Sequence, residues 1–319
     1  AGCGHNGGDG LAAARLLATA GYDVEVCLLG RREQLRDEPA LYARMVELGE
    51  RTCQLGQVGC RGYCSRDVLV DVYVPGQPRV TYEKVKPDMV DKIIKEHVIG
   101  GKVFAKAAAK DDYYEMLRRQ KRVALAHGGS IDPENIDEYI QVGGYEALKK
   151  VLTTMKPRDV IEEIKKSGLR GKGGGGFRTG IKWEKTANAE AEKRFIVVNG
   201  DEGNPASYMD RSVMEGCPHQ VIEGLLIGAY AIQATEGIIY TRPDYSIAVK
   251  RLNKALDQAR DRGFLGKNIM GSGFSLEISL HLGMESFING ESTALMQAIE
   301  GKRPMPKAQP PHSSARGLW

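Results

Sequence analysis

Between residues 168 and 183 the chain reads Gly168-Leu-Arg-Gly-Lys-Gly-Gly-Gly-Gly-Phe-Arg-Thr-Gly-Ile-Lys-Trp183. No other stretch restricts the fold as much. Gly171, Gly173, Gly174, Gly175 and Gly176 remove nearly every Cβ, so the backbone can take positive φ and bring N–H groups against a ligand. Arg170, Lys172, Arg178 and Lys182 surround them with positive charge, and Phe177 and Trp183 add flat apolar faces. Backbone donors, cations and aromatic planes in one loop suit a phosphate-bearing ligand that contains rings. A plain linker is the bland alternative, but linkers pair Gly with Ser and lack spaced cations and aromatics. The G-x-G-x-x-G spelling is weak evidence by itself, because a dinucleotide fingerprint follows a strand. Here Lys156–Lys166 precedes it, with Pro157 in a first turn and Val160, Ile161 and Ile164 on one side. That pattern predicts a helix, so the motif is a helix-then-loop cradle.

A length of 319 residues allows two or three domains. A net charge of +4 is too small to argue for nucleic acid. No apolar run reaches membrane-spanning length and no signal peptide is visible, so the expectation is a cytoplasmic protein without direct membrane insertion. The chain opens inside a glycine-rich turn and stops after a proline-rich loop, which predicts a fragment or a fusion. Of six cysteines, Cys3, Cys27, Cys53, Cys60 and Cys64 lie early and Cys217 lies apart. Without a secretory signal they read as thiols or metal ligands, not disulfides. Cys217 and the methionines read as packing residues.

Taken in order, residues 1–50 predict a short α/β crossover: a tight turn at 2–10, a helix over 11–21 and a strand over 23–29. The turn sets Asp9 and backbone N–H groups at a helix start. Residues 51–104 carry the Cys60-Arg-Gly-Tyr-Cys64 pair, an alternating strand over 68–74 and an amphipathic helix over 88–97. A C-x-x-x-C pair supplies two of the four thiolates that an iron–sulfur cluster takes; two ordinary thiols are the alternative. Residues 105–155 predict linker helices, and Arg118, Arg119, Lys121 and Arg122 read as a solvated face. Residues 156–319 predict an α/β domain with strands at 194–198, 237–241 and 274–280 and helices at 219–232 and 290–300. The face of the helix between the last two strands is marked by Ala248, Leu252, Ala255, Leu256 and Ala259. The first strand delivers Asn199, Asp201 and Glu202, acceptors at the carboxyl end of a strand where open α/β sheets bind ligands.

Three resemblances follow from these motifs. His5-Asn-Gly-Gly-Asp-Gly10 is similar to the Asn-Asn-Gly-Gly-Asp-Gly signature of the NAD(P)H-hydrate epimerase N-terminal domain, in which Asn6 would correspond to a potassium ligand. Gly59 to Gly101 resembles the thioredoxin-like [2Fe–2S] domain of NADH dehydrogenase and NAD-linked hydrogenase subunits, which implies Cys60 and Cys64 as metal ligands. From about residue 115 onward the chain resembles the FMN- and NADH-binding subunit (51-kDa type) of respiratory complex I and NAD-linked hydrogenases. The carrying motifs are 168–183, Asn199-Gly-Asp-Glu-Gly-Asn204, Met209-Asp-Arg-Ser-Val-Met-Glu-Gly216 and Phe287-Ile-Asn-Gly-Glu-Ser-Thr-Ala-Leu295.

The implied fold is a Rossmann-like FMN/NADH-binding domain, preceded by a partial thioredoxin-like domain and the α/β crossover. The implied chemistry is hydride transfer from NADH to FMN, with electrons passed to iron–sulfur clusters and other subunits of a complex I or hydrogenase assembly. Gly171, Gly173 and Gly174 would approach flavin and nucleotide, Lys182 would contact FMN, and Phe177 would stack on adenine. Asn199, Asp201 and Glu202 would line the isoalloxazine, and Phe287, Gly290 and Glu291 would close the pocket. No side chain is implied as a catalytic acid or base. Asn204, Asn289, Ser292 and His312 depart from the family's acid, Cys, Glu and Phe, which raises the choice between NADH and NADPH. The family's [4Fe–4S] ligands and its Asn-Asn FMN loop have no counterpart here. The alternatives are a non-catalytic nucleotide-binding or structural subunit, and an epimerase acting through residues 1–50.

Overall fold

The computed structural model describes residues 24–29, 53–74, 76–86, 89, 92–204, 207–284 and 286–319. The turn at 2–10 with Asn6 and Asp9, the helix over 11–21 and the side chains of Cys27 and Cys53 lie outside the described residues. The chain divides into two compact units, Ala1–Pro133 and Glu134–Trp319. The helices expected as a linker over 105–155 therefore split between the units.

In the first unit, strands β1 (Val24–Leu29), β2 (Cys53–Val58), β3 (Val70–Tyr73) and β4 (Val80–Tyr82) form one sheet in the order β2-β1-β3-β4. β1 pairs parallel with β2 and antiparallel with β3. The division expected at residue 50 thus runs through a single sheet and not between two domains. Val70, Asp71 and Val72 are all buried, so β3 does not alternate as expected. The reason is charge pairing: Asp71 meets the buried guanidinium of Arg61, the Arg79 guanidinium at 2.5 Å and the Thr81 hydroxyl at 2.6 Å. Burying a lone carboxylate would be costly; pairing it makes burial tolerable. The helix expected over 88–97 is a π-helical stretch, Ile93–Ile99. Helix α1 (Asp111–Arg119) closes this unit, with Tyr113 packed on Val58 and Leu69.

In the second unit, helices α2 (Ile136–Gln141) and α3 (Glu146–Thr154) precede α4 (Pro157–Ser167) and α5 (Thr179–Ala187). Strand β5 (Phe195–Gly200) follows, then α6 (Asp210–Gly216), α7 (Pro218–Ile232), β6 (Glu236–Thr241), α8 (Ser246–Asp261), β7 (Glu277–Leu282) and α9 (Ser292–Ile299). The three strands form a parallel sheet in the order β5-β6-β7. Helical crossovers between successive parallel strands make this the Rossmann-like α/β arrangement expected. β7 starts three residues later than the alternation predicts, because Phe274 turns back to accept from the Ile269 N–H at 2.7 Å.

Two glycines explain close helix packing. A Cβ on Gly180 would stand 2.7 Å from the Lys165 backbone, and one on Gly228 would stand 2.6 Å from Ile196 and 3.0 Å from Trp183. They draw α5 onto α4, and α7 onto β5 and α5. Ala248, Leu252, Ala255, Leu256 and Ala259 are buried along α8, as the spacing predicts. Among the described residues no helix is long and apolar enough to cross a membrane.

Candidate functional site

The carboxyl ends of β5, β6 and β7 converge on one polar edge. β5 ends in Asn199 and Gly200 and runs into Asp201 and Glu202. β6 ends in Thr241 and runs into Arg242 and Asp244. Beyond β7 the chain makes a short 3₁₀ turn, Phe287–Gly290, into α9. The Asn199 amide donates to the Gly290 carbonyl at 2.9 Å and so ties the first strand end to that turn. A Cβ on Gly203 would lie 2.9 Å from the Phe287 ring, and one on Gly290 would lie 3.3 Å from the Asp201 carbonyl. The two loops touch because both are glycine at the point of approach. The structure therefore brings together Asn199, Asp201, Glu202, Phe287, Gly290 and Glu291.

Two of these acids are already engaged. The Glu202 carboxylate accepts from the N–H groups of Met209 at 2.6 Å and Arg211 at 3.2 Å, which caps α6. The Glu291 carboxylate accepts from the N–H groups of Thr293 at 2.9 Å and Ala294 at 3.0 Å, which caps α9. Both obey the N-terminal preference for an acceptor and for negative charge. Burial works to raise the Glu291 pKa, but hydrogen bonds from Thr293 and Ala294 hold it below the usual carboxylate range.

Asp201 is different. Its side chain is completely buried, and neither carboxylate oxygen accepts a hydrogen bond within the protein. The nearest cation, Arg242, stands 3.8 Å away and spends its Nε and Nη2 on Asp244 at 2.9 and 3.1 Å. Burial dominates and pushes the Asp201 carboxyl up to about 6, with Arg242 opposing it. Thr241 Oγ1 and Asn289 Oδ1 are likewise buried without a partner, while the Asn289 amide donates to the Met284 carbonyl at 2.7 Å. Thr241, Arg242 and Asp244 are functional-edge residues that the sequence motifs do not single out. A signal for them exists: Thr241-Arg-Pro-Asp244 sits at the end of the second predicted strand, as Asn199 does at the end of the first.

The glycine loop lies between α4 and α5. Gly168 ends α4 in the left-handed conformation at φ 68°, as a C-terminal glycine does. The loop closes on itself: Gly171 N–H donates to the Phe177 carbonyl at 2.9 Å, Thr179 N–H to Leu169 at 2.9 Å, and Arg170 to the Gly176 carbonyl at 3.0 Å. Gly174 and Gly176 take positive φ, 99° and 59°. Gly173 and Gly175 do not, and a Cβ at either would meet nothing within 4 Å. Neither backbone strain nor internal packing requires glycine there, although glycine raises the entropic cost of order. Phe177 is 54% exposed, with the Lys185 ammonium 5.9 Å from its ring centre, and Lys182 is exposed. The hydrogen bonds of Gly171, Gly176 and Phe177 named above stay inside the loop.

Cys60 and Cys64 are both exposed thiols, with Gly62 N–H donating to Cys60 Sγ at 3.2 Å. No group of three or more His, Cys, Asp or Glu placed for a metal ion occurs among the described residues. These two supply half of the four thiolates a cluster takes. Cys217 is buried, as a packing residue should be.

Comparison with known proteins fits this geometry. Residues 164–318 match the family described as the Nuo51 FMN-binding domain, and residues 1–72 match the family described as YjeF-related protein N-terminus. The chain is 50% identical over 202 residues to the NADP-reducing hydrogenase protein HndC of Solidesulfovibrio fructosivorans, covering 63% of this chain and 41% of that protein. It is 46% identical over 185 residues to a subunit of the NADH-quinone oxidoreductase of Aquifex aeolicus, covering 58% of this chain and 43% of the relative. The chain thus spans about two-fifths of the length of these curated relatives. Among solved structures, an NAD+-reducing [NiFe]-hydrogenase in the H2-reduced state aligns with 96% of this chain and 52% of its own, at 20% identity and a TM-score of 0.50. That likeness supports the fold.

Proposed function

We propose that this chain, whose residues 164–318 belong to the Nuo51 FMN-binding family, is the NADH-oxidising flavoprotein module of a complex I or hydrogenase-type assembly. The observation that carries the reading is the pair of features with no internal explanation. Loop glycines 173 and 175 serve no packing, and buried polar atoms of Asp201, Thr241 and Asn289 lack partners. Buried polar groups are nearly always satisfied, so such a cluster at strand ends expects a bound molecule. The relatives are named as parts of an NADH-quinone oxidoreductase and of an NADP-reducing hydrogenase, and both names fit a flavin and a nicotinamide nucleotide.

FMN, when bound, would supply the hydride acceptor for nicotinamide. The protein's part is to bind, orient and exclude water. Gly171, Gly173 and Gly174 present backbone without side chains to the ligand. Phe177 and Phe287, 54% and 76% exposed, offer ring faces for stacking. Lys182 supplies a cation for phosphate. Asp201, Thr241 and Asn289 offer the polar contacts that fix the flavin's orientation, and Asn199 and Gly290 hold the two walls together. Glu202 and Glu291 act on the ligand through the helices they cap.

The assembly's other subunits, electron transfer to iron–sulfur centres and a cytoplasmic, peripheral location belong to the same proposal. So does a preference between NADH and NADPH, for which Asn204 and Ser292 put neutral groups near the edge. The test is to add FMN to the purified protein and look for bound flavin that bleaches with NADH. Colourless protein without diaphorase activity would overturn the reading. A second reading draws on the match of residues 1–72 to the YjeF-related family: NAD(P)H-hydrate epimerase activity, tested by following interconversion of the two NADH-hydrate epimers.

A further inference from the structure

We infer that Asp201 engages the flavin as the neutral acid, with its carboxyl proton donated to the ligand, so that flavin binding takes up a proton. The inference rests on the flavin reading above and concerns what form of the site binds.

Donor and acceptor counting supports it. At the strand-end edge the buried atoms free to bond are Asp201 Oδ1 and Oδ2, Asn289 Oδ1 and the hydroxyls of Tyr240 and Thr241. The Asn289 amide N–H is spent on Met284, the Asn199 amide on Gly290, and Arg242 Nε and Nη2 on Asp244, which leaves Arg242 Nη1 3.8 Å from Asp201, beyond hydrogen-bond reach. With Asp201 ionised, three acceptor oxygens, each able to take more than one bond, face two hydroxyl donors. An ionised carboxylate accepts several hydrogen bonds, and none reaches Asp201. With Asp201 protonated, the set gains a donor and loses a charge. The carboxyl is already shielded from water, which disfavours the ion. The chemistry that completes the set is an uncharged edge rich in acceptors and hydroxyls, which the ring carbonyls and polyol chain of a flavin provide.

Of the groups facing Asp201, Arg242 opposes its raised pKa, from 3.8 Å and while bonded to Asp244, and burial outweighs it. From the β5 loop, Glu202 is bonded to Met209 and Arg211, and the nearby Asp210 is itself pushed up to about 6, first by burial and then by Glu202. From the end of β6, Tyr240 is raised first by burial and then by Asp201 itself. Arg242 is bidentate on Asp244, and Tyr245 donates to the Glu202 carbonyl at 3.3 Å. From β7, His281 stacks on Tyr240 at 5.3 Å and its pKa is lowered by burial. From the start of α9, Glu291 is bonded to Thr293 and Ala294. The placement of Asp201 agrees with its raised pKa.

The test is quenching of flavin fluorescence on titration of the purified chain between pH 5 and 8, with FMN and with riboflavin. Riboflavin lacks the phosphate, whose own titration falls in this range. Affinity for both should weaken by about tenfold per pH unit above the Asp201 transition. Asp201→Asn, which keeps one donor and carries no charge, should bind with little pH dependence, and Asp210→Asn should behave as the wild type. Calorimetry of FMN binding at pH 7 in two buffers of different ionisation enthalpy should show about one proton taken up. This second readout stands even if Asp201→Asn fails to fold. Binding without pH dependence, pH dependence for FMN but not riboflavin, a flat Asp210→Asn, an unchanged slope in Asp201→Asn, or no proton uptake would each overturn the inference and leave the flavin reading intact. Absence of quenching at every pH would overturn both.

Discussion

Gly175 and Asp201 show two ways in which a residue can be costly to the folded protein. Gly175 sits outside the left-handed region, in open space. Gly175→Ala should leave the melting temperature unchanged or raise it slightly, since restricting the unfolded chain at a compatible site is worth about 0.4–1 kcal/mol. FMN and NADH affinity should nevertheless fall severalfold, because a methyl group stands where the ligand approaches. Unchanged affinity, measured by fluorescence titration, would remove the loop from the binding surface. Asp201 carries a folded pKa of about 6 against an ordinary value of 3.8. The folded state therefore binds more protons between those values, and stability is lost as pH rises through 6. Asp201→Asn should raise the melting temperature at pH 8, where the carboxylate is charged in both states. The gain corresponds to about 1–3 kcal/mol. At pH 4 it should vanish. An equal gain at both values of pH would mean that packing, not charge, is responsible.

At the scale of elements, the helices flanking the site start on the site's own acids. Glu202 and Glu291 cap α6 and α9, so losing either carboxylate leaves helix N–H groups unpaired. Glu202→Ala and Glu291→Ala should each cost about 1 kcal/mol in chemical denaturation, and no more than about 2 kcal/mol. Glu291→Ser should restore most of that stability, because serine caps well. If Glu291 acts on the ligand only through α9, serine also restores nucleotide affinity. If the long carboxylate itself touches the ligand, stability returns and affinity does not. The start of α9 was legible from sequence, since the helix expected over 290–300 carries Glu291 at its N-terminus; α6 was not among the expected helices. Capture of Glu202 by α6 was not legible, because residues 203–208 separate the acid from the helix and only the fold of that loop closes the distance.

For the molecule as a whole, a buried polar network fastens α2 and α3 to α7 and α8 of the second unit. The Glu223 carboxylate accepts from the Tyr139 hydroxyl at 2.6 Å, Tyr145 N–H at 2.9 Å and Leu148 N–H at 3.1 Å. His219 bonds Tyr145 through Nδ1 at 2.9 Å and Gln258 through Nε2 at 3.0 Å. The Gln258 amide donates to the Glu134 carbonyl at 2.9 Å, so its oxygen accepts and His219 carries its proton on Nε2. The neutral ring is thereby fixed, and burial pushes its pKa down to about 4. The contribution is complete above 6.5 and is lost as pH falls towards 4, because the unfolded chain binds the extra proton. Unfolding at pH 4.5 and 7 should differ by about 2–3 kcal/mol from this group, and His219→Asn should flatten the slope. A wild-type slope in that variant would shift the cause to other groups. This network also explains why residues 134–155, which look like a linker, belong with the second unit. Periodicity predicts their helices but says nothing of what buries them.

The sequence by itself determined the alternation of helices and strands in the second unit, the glycine loop that follows a helix, and the polar residues placed at a strand end. Each follows from local rules: side-chain period, capping chemistry and the freedom of glycine. Only the tertiary structure decided which polar groups are spent and which are left over. Glu202 and Glu291 look equivalent to Asp201 in the sequence, yet they are bonded while Asp201 is not. Thr241, Arg242 and Asn289 come from distant positions and meet at one edge only because β5, β6 and β7 lie side by side. The sheet of the first unit shows the same limit, since β1 is inserted between β2 and β3 by pairing across the expected boundary. Hydrogen-bond satisfaction and burial are properties of neighbours in space, and a sequence lists neighbours only along the chain.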